Sequence, residues 1–306
     1  MHYTLHQLNV FLKVSEKQSI TKAAEELHLT QPAVSIQLKK FQAQFEVPLI
    51  EVIGRQLFVT EFGKEIARAS AKILDEIDDI RNKTRAYQGL MAGKLEVAVV
   101  STGKYVMPYF LTAFAKLYPG VELRMDVTNK TNVIRSLEKN EIDFALVSVL
   151  PENLNIERVE LMENKLYLIR KYDPDSPSQL RISELEKKLL IYREKGSATR
   201  GAMEQFFTGH QIPSSKSIEL TSNEAVKQAV MAGLGYSVMP LIGLRNELQS
   251  GQLEMVKVKG LPITTYWNLI WLKEKMLSPV AEAYINHIKE EKDRIIEENF
   301  RWFEKY

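Results

Sequence analysis

Residues 61–91 carry a mainly apolar residue at every third or fourth position, and this repeat constrains the fold more than any other feature. Held over about four heptads, such spacing predicts one long helix with a single apolar stripe. A solitary helix would leave that stripe in water, so we predict that it pairs with the same helix of a second chain. Packing against the chain's own C-terminal domain is the alternative. The repeat consists of Phe62, Ile66, Ala69, Ile73, Ile77, Ile80, Thr84, Tyr87 and Met91, of which Phe62, Ile66, Ile73, Ile77 and Ile80 are assigned to dimerisation.

Length and composition limit the class of protein. At 306 residues the chain is predicted to hold two or three domains, and 45% apolar with 26% charged residues is typical of a soluble globular protein. No apolar run approaches the ~20 residues that span a bilayer, and the N-terminus lacks the pattern of a secretory signal. The absence of cysteine excludes disulfides, cysteine-ligated zinc and thiol redox sensing. We therefore expect a cytoplasmic protein without a cofactor.

The first 60 residues have the pattern of a small helical domain. Apolar residues at helical spacing predict a first helix over residues 5–17. The segment TKAAEELHL, capped by Ser19 or Thr21, predicts a second helix, and a tight turn leads to a third over about residues 32–45. Beyond it, VPLIEVIGRQLFVTEFG alternates as a two-stranded ribbon does. Three helices and a ribbon predict a winged helix-turn-helix.

The third predicted helix begins with TQPAVSIQLKKF, whose first turn is uncharged and rich in hydrogen-bonding side chains. In a helix-turn-helix this end enters the DNA major groove, where glutamine pairs well with adenine. Free amides of the first turn can hold a phosphate, lysines further back can reach the flanking backbone, and an arginine on the wing can enter the minor groove. Because the net charge is only +2, the prediction rests on this placement. The predicted DNA contacts are Thr30, Gln31, Pro32, Ser35, Ile36, Gln37, Lys39, Lys40 and Arg55.

After residue 92, strand and helix patterns alternate, which predicts two α/β lobes with mainly parallel sheets. Three helix starts, STGKY, REKGSATR and TSNEA, are predicted to meet in the cleft between the lobes. Helix N-termini with hydroxyls and nearby cations favour a small carboxylate or phosphate ester. The alternatives without a ligand are a capping box of Thr221 with Glu224, surface charges or an internal pair at Arg193 and Glu194, and a solvent-facing Lys104. The predicted effector contacts are Ser101, Thr102, Lys104, Arg193, Ser197, Thr199, Arg200, Ser222 and Asn223.

The segment FLKVSEKQSITKAAEELHLTQPAVSIQLKKF resembles the DNA-binding signature of LysR-type transcriptional regulators, and the wing ending in VTEFG is similar to that family's. The resemblance covers the whole chain and implies a long linker helix and a two-lobed effector domain like periplasmic binding proteins. It further implies dimers and tetramers, an operator that is an interrupted inverted repeat, and contact with RNA polymerase. Two positions depart from the pattern. Ile36 stands where many members carry Arg or Lys, and Ile50 with Glu51 replaces the common Phe.

Within that family, YREKGSATRGAMEQFF and VVSTGKYVMPYF resemble the regulators of RuBisCO operons. Members of that subgroup respond to phosphorylated metabolites or reduced nicotinamide nucleotide, which fits an anion-binding cleft. Ala198 stands where many of them have Gly.

The predicted fold is α/β with an N-terminal all-α winged helix-turn-helix. The DNA-binding domain is assigned to residues 1–60, the linker to 61–91 and the effector domain to 92–306. Within the effector domain, lobe I is predicted over about 92–164 and 268–306, and lobe II over about 165–267.

Other classes of protein fit less well. An enzyme is disfavoured because the chain has no GxSxG or P-loop motif, and its five histidines show no metal-ligand spacing. A solute-binding protein would explain the lobes but not the winged helix, and a DNA-structuring protein would explain only the N-terminus. We therefore predict a transcription regulator, not an enzyme.

Overall fold

The computed structural model describes residues 2–54, 56–87, 91–210 and 216–306, without the side chains of residues 78, 79 and 81–87. The chain divides into two compact units, Met1–Leu90 and Met91–Tyr306.

The N-terminal unit contains four helices and one ribbon among its described residues. They are α1 (Leu5–Lys17), α2 (Ile20–Glu26), α3 (Gln31–Gln42), β1 (Ile50–Ile53), β2 (Gln56–Val59) and α4 (Glu61–Tyr87). Hydroxyl side chains set the helix starts, since Thr4, Ser19 and Thr30 each accept a hydrogen bond from a backbone amide three residues on. The strands β1 and β2 pair antiparallel as a hairpin. The cap at Ser19 and the ribbon agree with the sequence patterns.

An aromatic and aliphatic core holds α1 to α4 together. Val34, Leu38 and Phe41 lie on the inner face of α3 and are buried, and the Phe41 ring packs 5.2 Å from that of Phe11. At the start of α4, a Cβ on Gly63 would lie 2.0 Å from the carbonyl oxygen of Leu49, so this helix passes directly against backbone.

The first two turns of α4 differ from the predicted dimer stripe. Phe62 and Ile66 pack against this unit's own core, and the Phe62 ring lies 6.1 Å from that of Phe45. They therefore serve the winged-helix core, whereas Ile73 and Ile80 are 40% and 61% exposed and Ile77 is partly exposed. Thr84 and Tyr87 fall where side chains are not described. The dimerisation prediction consequently rests on Ile73, Ile77 and Ile80.

The C-terminal unit alternates strands and helices. Its elements are β3 (Ala92–Val100), α5 (Met107–Leu117), β4 (Gly120–Thr128), α6 (Lys130–Glu138), β5 (Phe144–Val147), β6 (Ile156–Lys171), β7 (Leu190–Arg193), α7 (Ala198–Gly209), β8 (Ser217–Leu220), α8 (Asn223–Met231), β9 (Ser237–Pro240), α9 (Arg245–Gln249), β10 (Leu253–Val256), β11 (Ile263–Leu272) and α10 (Pro279–Phe300). The described strands form a seven-stranded sheet ordered β10-β6-β11-β5-β3-β4, in which β9 also pairs with β6, and a small parallel pair β7-β8.

The predicted mainly parallel sheets are wrong for much of this unit. Strand β6 pairs antiparallel with β9, β10 and β11, and β11 pairs antiparallel with β5. Only β3-β4, β3-β5 and β7-β8 are parallel among the described strands. The sequence reading missed β6 because charged residues interrupt its apolar alternation.

Three sets of buried residues, one in lobe I and two in lobe II, correspond to two lobes joined by β6 and β11. One core contains Phe110, Phe144, Trp267 and Tyr284, and the others contain residues from the later part of β6 together with β7, α7 and α8. At the C-terminal end, Phe300 is buried and stacks on Phe110, so the end of α10 packs into the core of lobe I.

Candidate DNA and ligand sites

The outward face of α3 carries most of the residues predicted to contact DNA. Since successive helical residues are about 100° apart, the buried Val34, Leu38 and Phe41 leave Ile36 near the centre of the opposite face. Ile36 is 54% exposed and is therefore accessible to a partner at this face. Gln31, Pro32, Lys39 and Lys40 are also exposed, whereas Ser35 and Gln37 are partly exposed. Gln37 lies about 100° from Ile36, at the flank of the face.

The start of α3 has the electrostatics of a phosphate site. The Thr30 hydroxyl accepts a hydrogen bond from the Ala33 amide at 3.4 Å, and no acidic residue lies in the first turn. The remaining amides and the helix dipole thus face outward without a competing carboxylate. Arg55, predicted to reach the minor groove, lies outside the described residues. Its neighbours Val52 and Ile53 on the wing are exposed.

In the C-terminal unit, Arg193 joins the two lobes. This residue ends β7 in lobe II, its side chain is 3% exposed, and its Nη2 donates to the Oγ of Ser101 in lobe I at 3.0 Å. The same guanidinium makes two bonds of 2.8 Å to the Glu194 carboxylate. Glu194 therefore already balances the charge of Arg193, and this is the internal pair that was considered as an alternative to effector binding.

Arg200 is likewise engaged by carboxylates. Its Nε donates to Glu204 at 2.7 Å, its Nη1 contacts Glu219, and Nη1 also donates to the backbone carbonyl of Arg193 at 2.9 Å. The hydrogen bond to Glu204 and that to Glu219 raise the pKa of the Arg200 guanidinium against its desolvation. Arg200 thus supports the loop that holds Arg193.

A cavity of about 830 Å³ lies between lobe I and the start of α7, within the size range of ligand sites. Of the predicted effector residues, Ser197 and Arg200 line it. Thr102 and Thr199 are buried and do not line it, and Ser101 is turned to Arg193. Sequence reasoning missed Lys130 and Thr131, which line the cavity at the start of α6. The sequence did contain a signal for these two residues, because α6 starts directly after strand β4 just as the STGKY segment starts directly after strand β3.

The start of α8 gives a different picture from the predicted capping box. Ser222, not Thr221, caps the helix by accepting from the Ala225 amide at 3.0 Å. Asn223 is buried, and neither its amide nitrogen nor its amide oxygen has a hydrogen-bond partner among the described residues. Neither Ser222 nor Asn223 lines the cavity.

Lys104 also lies away from that cavity, over the ring of Tyr105 at 5.0 Å. Its charge reaches Glu224 in the first turn of α8. A hydrogen bond from Gln228 lowers the pKa of Glu224, with smaller contributions from Lys227 and Lys104. The polar groups predicted to meet at one point are therefore divided among the cavity, the buried contact of Arg193 with Ser101, and the start of α8.

Comparison with known families gives two matches that together span most of the chain. Residues 5–64 match the bacterial regulatory helix-turn-helix domain of the lysR family, and residues 88–293 match the LysR substrate binding domain. The last 13 residues, 294–306, lie beyond the second match.

Several relatives are similar over nearly their whole length. The HTH-type transcriptional activator CmpR of Synechocystis is 37% identical over 93% of this chain and 94% of the relative. The RuBisCO operon transcriptional regulator of Allochromatium vinosum is 36% identical over 96% of this chain and 98% of the relative.

Solved structures agree with the fold. The CcmR regulatory domain of Synechocystis, in complex with 2-PG, is 31% identical, with a TM-score of 0.61 over 68% of this chain and 98% of that one. Full-length CbnR complexed with its target DNA is 21% identical, with a TM-score of 0.68 over 94% of this chain and 99% of that one. With a winged helix at one end and a substrate-binding domain at the other, the chain belongs to the LysR family of DNA-binding transcriptional regulators.

Proposed function

We propose that this regulator binds a small phosphorylated carboxylate in the 830 Å³ cavity of its C-terminal unit and that binding alters its action at the operator. The observation that carries the proposal is the composition of the cavity wall. The N-terminal ends of α6 and α7 border it, and Lys130, Arg135 and Lys195 add three positive charges against the two carboxylates of Glu138 and Glu152, while Glu204 is paired with Arg200. Helix N-termini and cations together favour a ligand with more than one negative charge.

The similar proteins indicate which phosphorylated carboxylate to test first. The CcmR regulatory domain was solved with 2-PG, and two further similar proteins are regulators of RuBisCO operons. We take 2-phosphoglycolate as the first candidate. Reduced nicotinamide nucleotide is the second, because the resemblance to regulators of RuBisCO operons implies it as an effector. A dinucleotide would also need a place for its adenine, and the described residues of the cavity wall include no aromatic side chain.

On the DNA side, the proposal assigns base reading to the outward face of α3. Gln31 and Ser35 supply donors and acceptors, Ile36 an apolar contact, and Lys39 and Lys40 the backbone contacts. Pairing of α4 through Ile73, Ile77 and Ile80 would hold two recognition helices at a fixed separation. The operator is then an interrupted inverted repeat.

The regulator is further proposed to act in the cytoplasm and to catalyse no reaction. Support comes from its relatives, which are transcriptional regulators. Among the described residues, no cluster of His, Asp and Glu has the arrangement of a metal site. In the same part of the chain, no helix is both long and apolar enough to cross a membrane.

Thermal unfolding of the purified chain with 2-phosphoglycolate and with reduced nicotinamide nucleotide tests the ligand class. A ligand at ~100 times its Kd stabilises by ~2.7 kcal/mol, which is roughly 5–11 °C for a unit of this size. Operator binding is measured by fluorescence anisotropy with and without ligand. Gln31→Ala is the matched control, because it should weaken operator binding and leave the ligand-induced shift intact. No shift with any phosphorylated carboxylate contradicts the proposal.

A further inference from the structure

Four cationic side chains line the cavity, and they differ in whether they already form an ion pair with a carboxylate. Arg200 is bonded to Glu204 and Glu219. Lys130, Arg135 and Lys195 make no ion pair within 4.0 Å with a carboxylate of the described residues. Arg135 and Lys195 are exposed, so water and salt screen them, whereas Lys130 is half-buried. Of the three cations without an ion pair, Lys130 is therefore the one that is most withdrawn from water, and Glu152 of the same wall is the carboxylate whose charge acts on it.

The backbone around Lys130 also favours an anion. Lys130 is the first residue of α6, and the Asn129 side chain caps the helix by accepting from the Asn132 amide at 3.0 Å. Other amides of this first turn point towards the helix start, where the lysine stem begins. Burial lowers the pKa of Lys130, opposed by the charge of Glu152, as expected for a cation that lacks a close partner.

Lobe II meets this helix start directly. Gly196 has φ +88°, and a Cβ there would lie 2.7 Å from the Oγ1 of Thr131. The next residue, Ser197, is the N-cap of α7, yet its hydroxyl makes no capping hydrogen bond. The chain thus brings a hydroxyl and a second helix N-terminus from lobe II against the first turn of α6 in lobe I.

We propose that Lys130 is the phosphoryl-selecting residue of this regulator, holding the phosphoryl group of the effector from lobe I while Ser197 and the start of α7 hold it from lobe II. This inference rests on the proposed function, since it names the anchor within the same cavity. It also assigns a structural role to Arg193 and Arg200, the arginines that the sequence favoured as effector ligands. A dianionic phosphoryl group bridges the lobes better than a single carboxylate, because it offers three oxygens and two charges.

Isothermal titration of the full chain tests the assignment, with 2-phosphoglycolate and inorganic phosphate as probes. Lys130→Met should weaken the binding of both about 10- to 100-fold, the loss expected for one charge-assisted contact. Lys130→Arg keeps the charge and should stay within about fivefold of the wild type. Lys195→Met removes the same charge from the exposed rim and should change either Kd less than about threefold.

Thermal unfolding without ligand separates a binding role from a structural one. Because Lys130 is half-buried without an ion pair, Lys130→Met should keep or raise Tm, and operator binding without ligand should not change. Equal Kd values for Lys130→Met and Lys195→Met overturn the assignment while the proposed function stands. A loss for 2-phosphoglycolate without a loss for inorganic phosphate also overturns it, since Lys130 would then hold the carboxylate. If the wild type binds neither probe, the proposed effector class fails and the anchor fails with it.

Discussion

Replacing Glu194 with glutamine removes the charge partner of a buried arginine, and we expect it to destabilise the C-terminal unit strongly. Arg193 is 3% exposed and depends on Glu194 for two hydrogen bonds of 2.8 Å. After Glu194→Gln, one amide oxygen can still accept, but no negative charge balances the guanidinium. Removing one partner of a buried ion pair costs about 3–5 kcal/mol, because the other charge stays buried and uncompensated.

The structure places Glu194→Gln at the lower end of that range. Glu194 is 17% exposed, so some water reaches the pair, and Arg193 keeps its hydrogen bond to Ser101. We expect a loss of about 3 kcal/mol, which lowers Tm by roughly 6–12 °C for a unit of this size. Arg193→Met should cost less, about 1–2 kcal/mol, because the remaining carboxylate is the more exposed partner. The double variant should be more stable than Glu194→Gln alone, because no buried charge remains.

Thermal and urea unfolding of the full chain measure these differences, followed on the transition of the C-terminal unit. Glu204→Gln is the matched control, since Glu204 pairs with Arg200 but is 50% exposed, and its loss should be below about 1 kcal/mol. If Glu194→Gln costs no more than Glu204→Gln, the buried charge of Arg193 does not depend on Glu194 as we infer. If Arg193→Met instead abolishes 2-phosphoglycolate binding at unchanged stability, Arg193 is an effector ligand.

Three further predictions concern the N-terminal unit and the helices. Ile36→Ala should lose about 1 kcal/mol of operator-binding free energy. Replacing a contacted thymine by deoxyuridine should weaken operator binding by the wild type, measured by anisotropy, but not binding by the variant. Equal sensitivity of both proteins would exclude a thymine-methyl contact. Glutamates at Ile73 and Ile77 should give monomers in sedimentation, and an unchanged dimer would refute pairing through α4. Gly63→Ala should lower the free energy of unfolding by about 3 kcal/mol or more, because the added Cβ meets the Leu49 carbonyl. Gly201→Ala in α7, where the added Cβ meets open space, should raise it by about 0.5–1 kcal/mol. Similar unfolding midpoints for the two variants would contradict the close approach at Gly63.

The sequence predicted the winged helix well because its signals are local. A hydroxyl at each helix start, a proline at the second position of α3 and the inward spacing of Val34, Leu38 and Phe41 need no knowledge of distant residues. Helix α4 illustrates the limit of such signals. The same apolar spacing covers Phe62, which packs in its own unit, and Ile73, which does not, because periodicity shows a stripe but not what covers it.

The ligand site was harder to predict because its chemistry depends on pairings far apart in sequence. Arg193 and Arg200 look like anion ligands in the sequence, yet the fold brings Glu194, Glu204 and Glu219 to them. Lys130 looks unremarkable in the sequence, and only the packing of α6 against the cavity leaves it half-buried without an ion pair. The antiparallel partners of β6 are likewise residues that lie from 68 to 116 positions later in the chain.

The connection between Ser101 and Arg193 and the proposed phosphoryl contact cross the same boundary between the lobes, and this decides how a ligand can act. A ligand shifts a conformational equilibrium only by the difference in its affinity for the two states. A contact to Lys130 alone would exist in any arrangement of the lobes and would shift nothing. A contact shared by Lys130 and Ser197 exists only while the start of α7 lies against α6, so its free energy favours that arrangement alone. Loss of the Lys130 contact should therefore weaken the effector's influence on operator binding even at saturating effector, whereas loss of a contact confined to one lobe should weaken only its affinity.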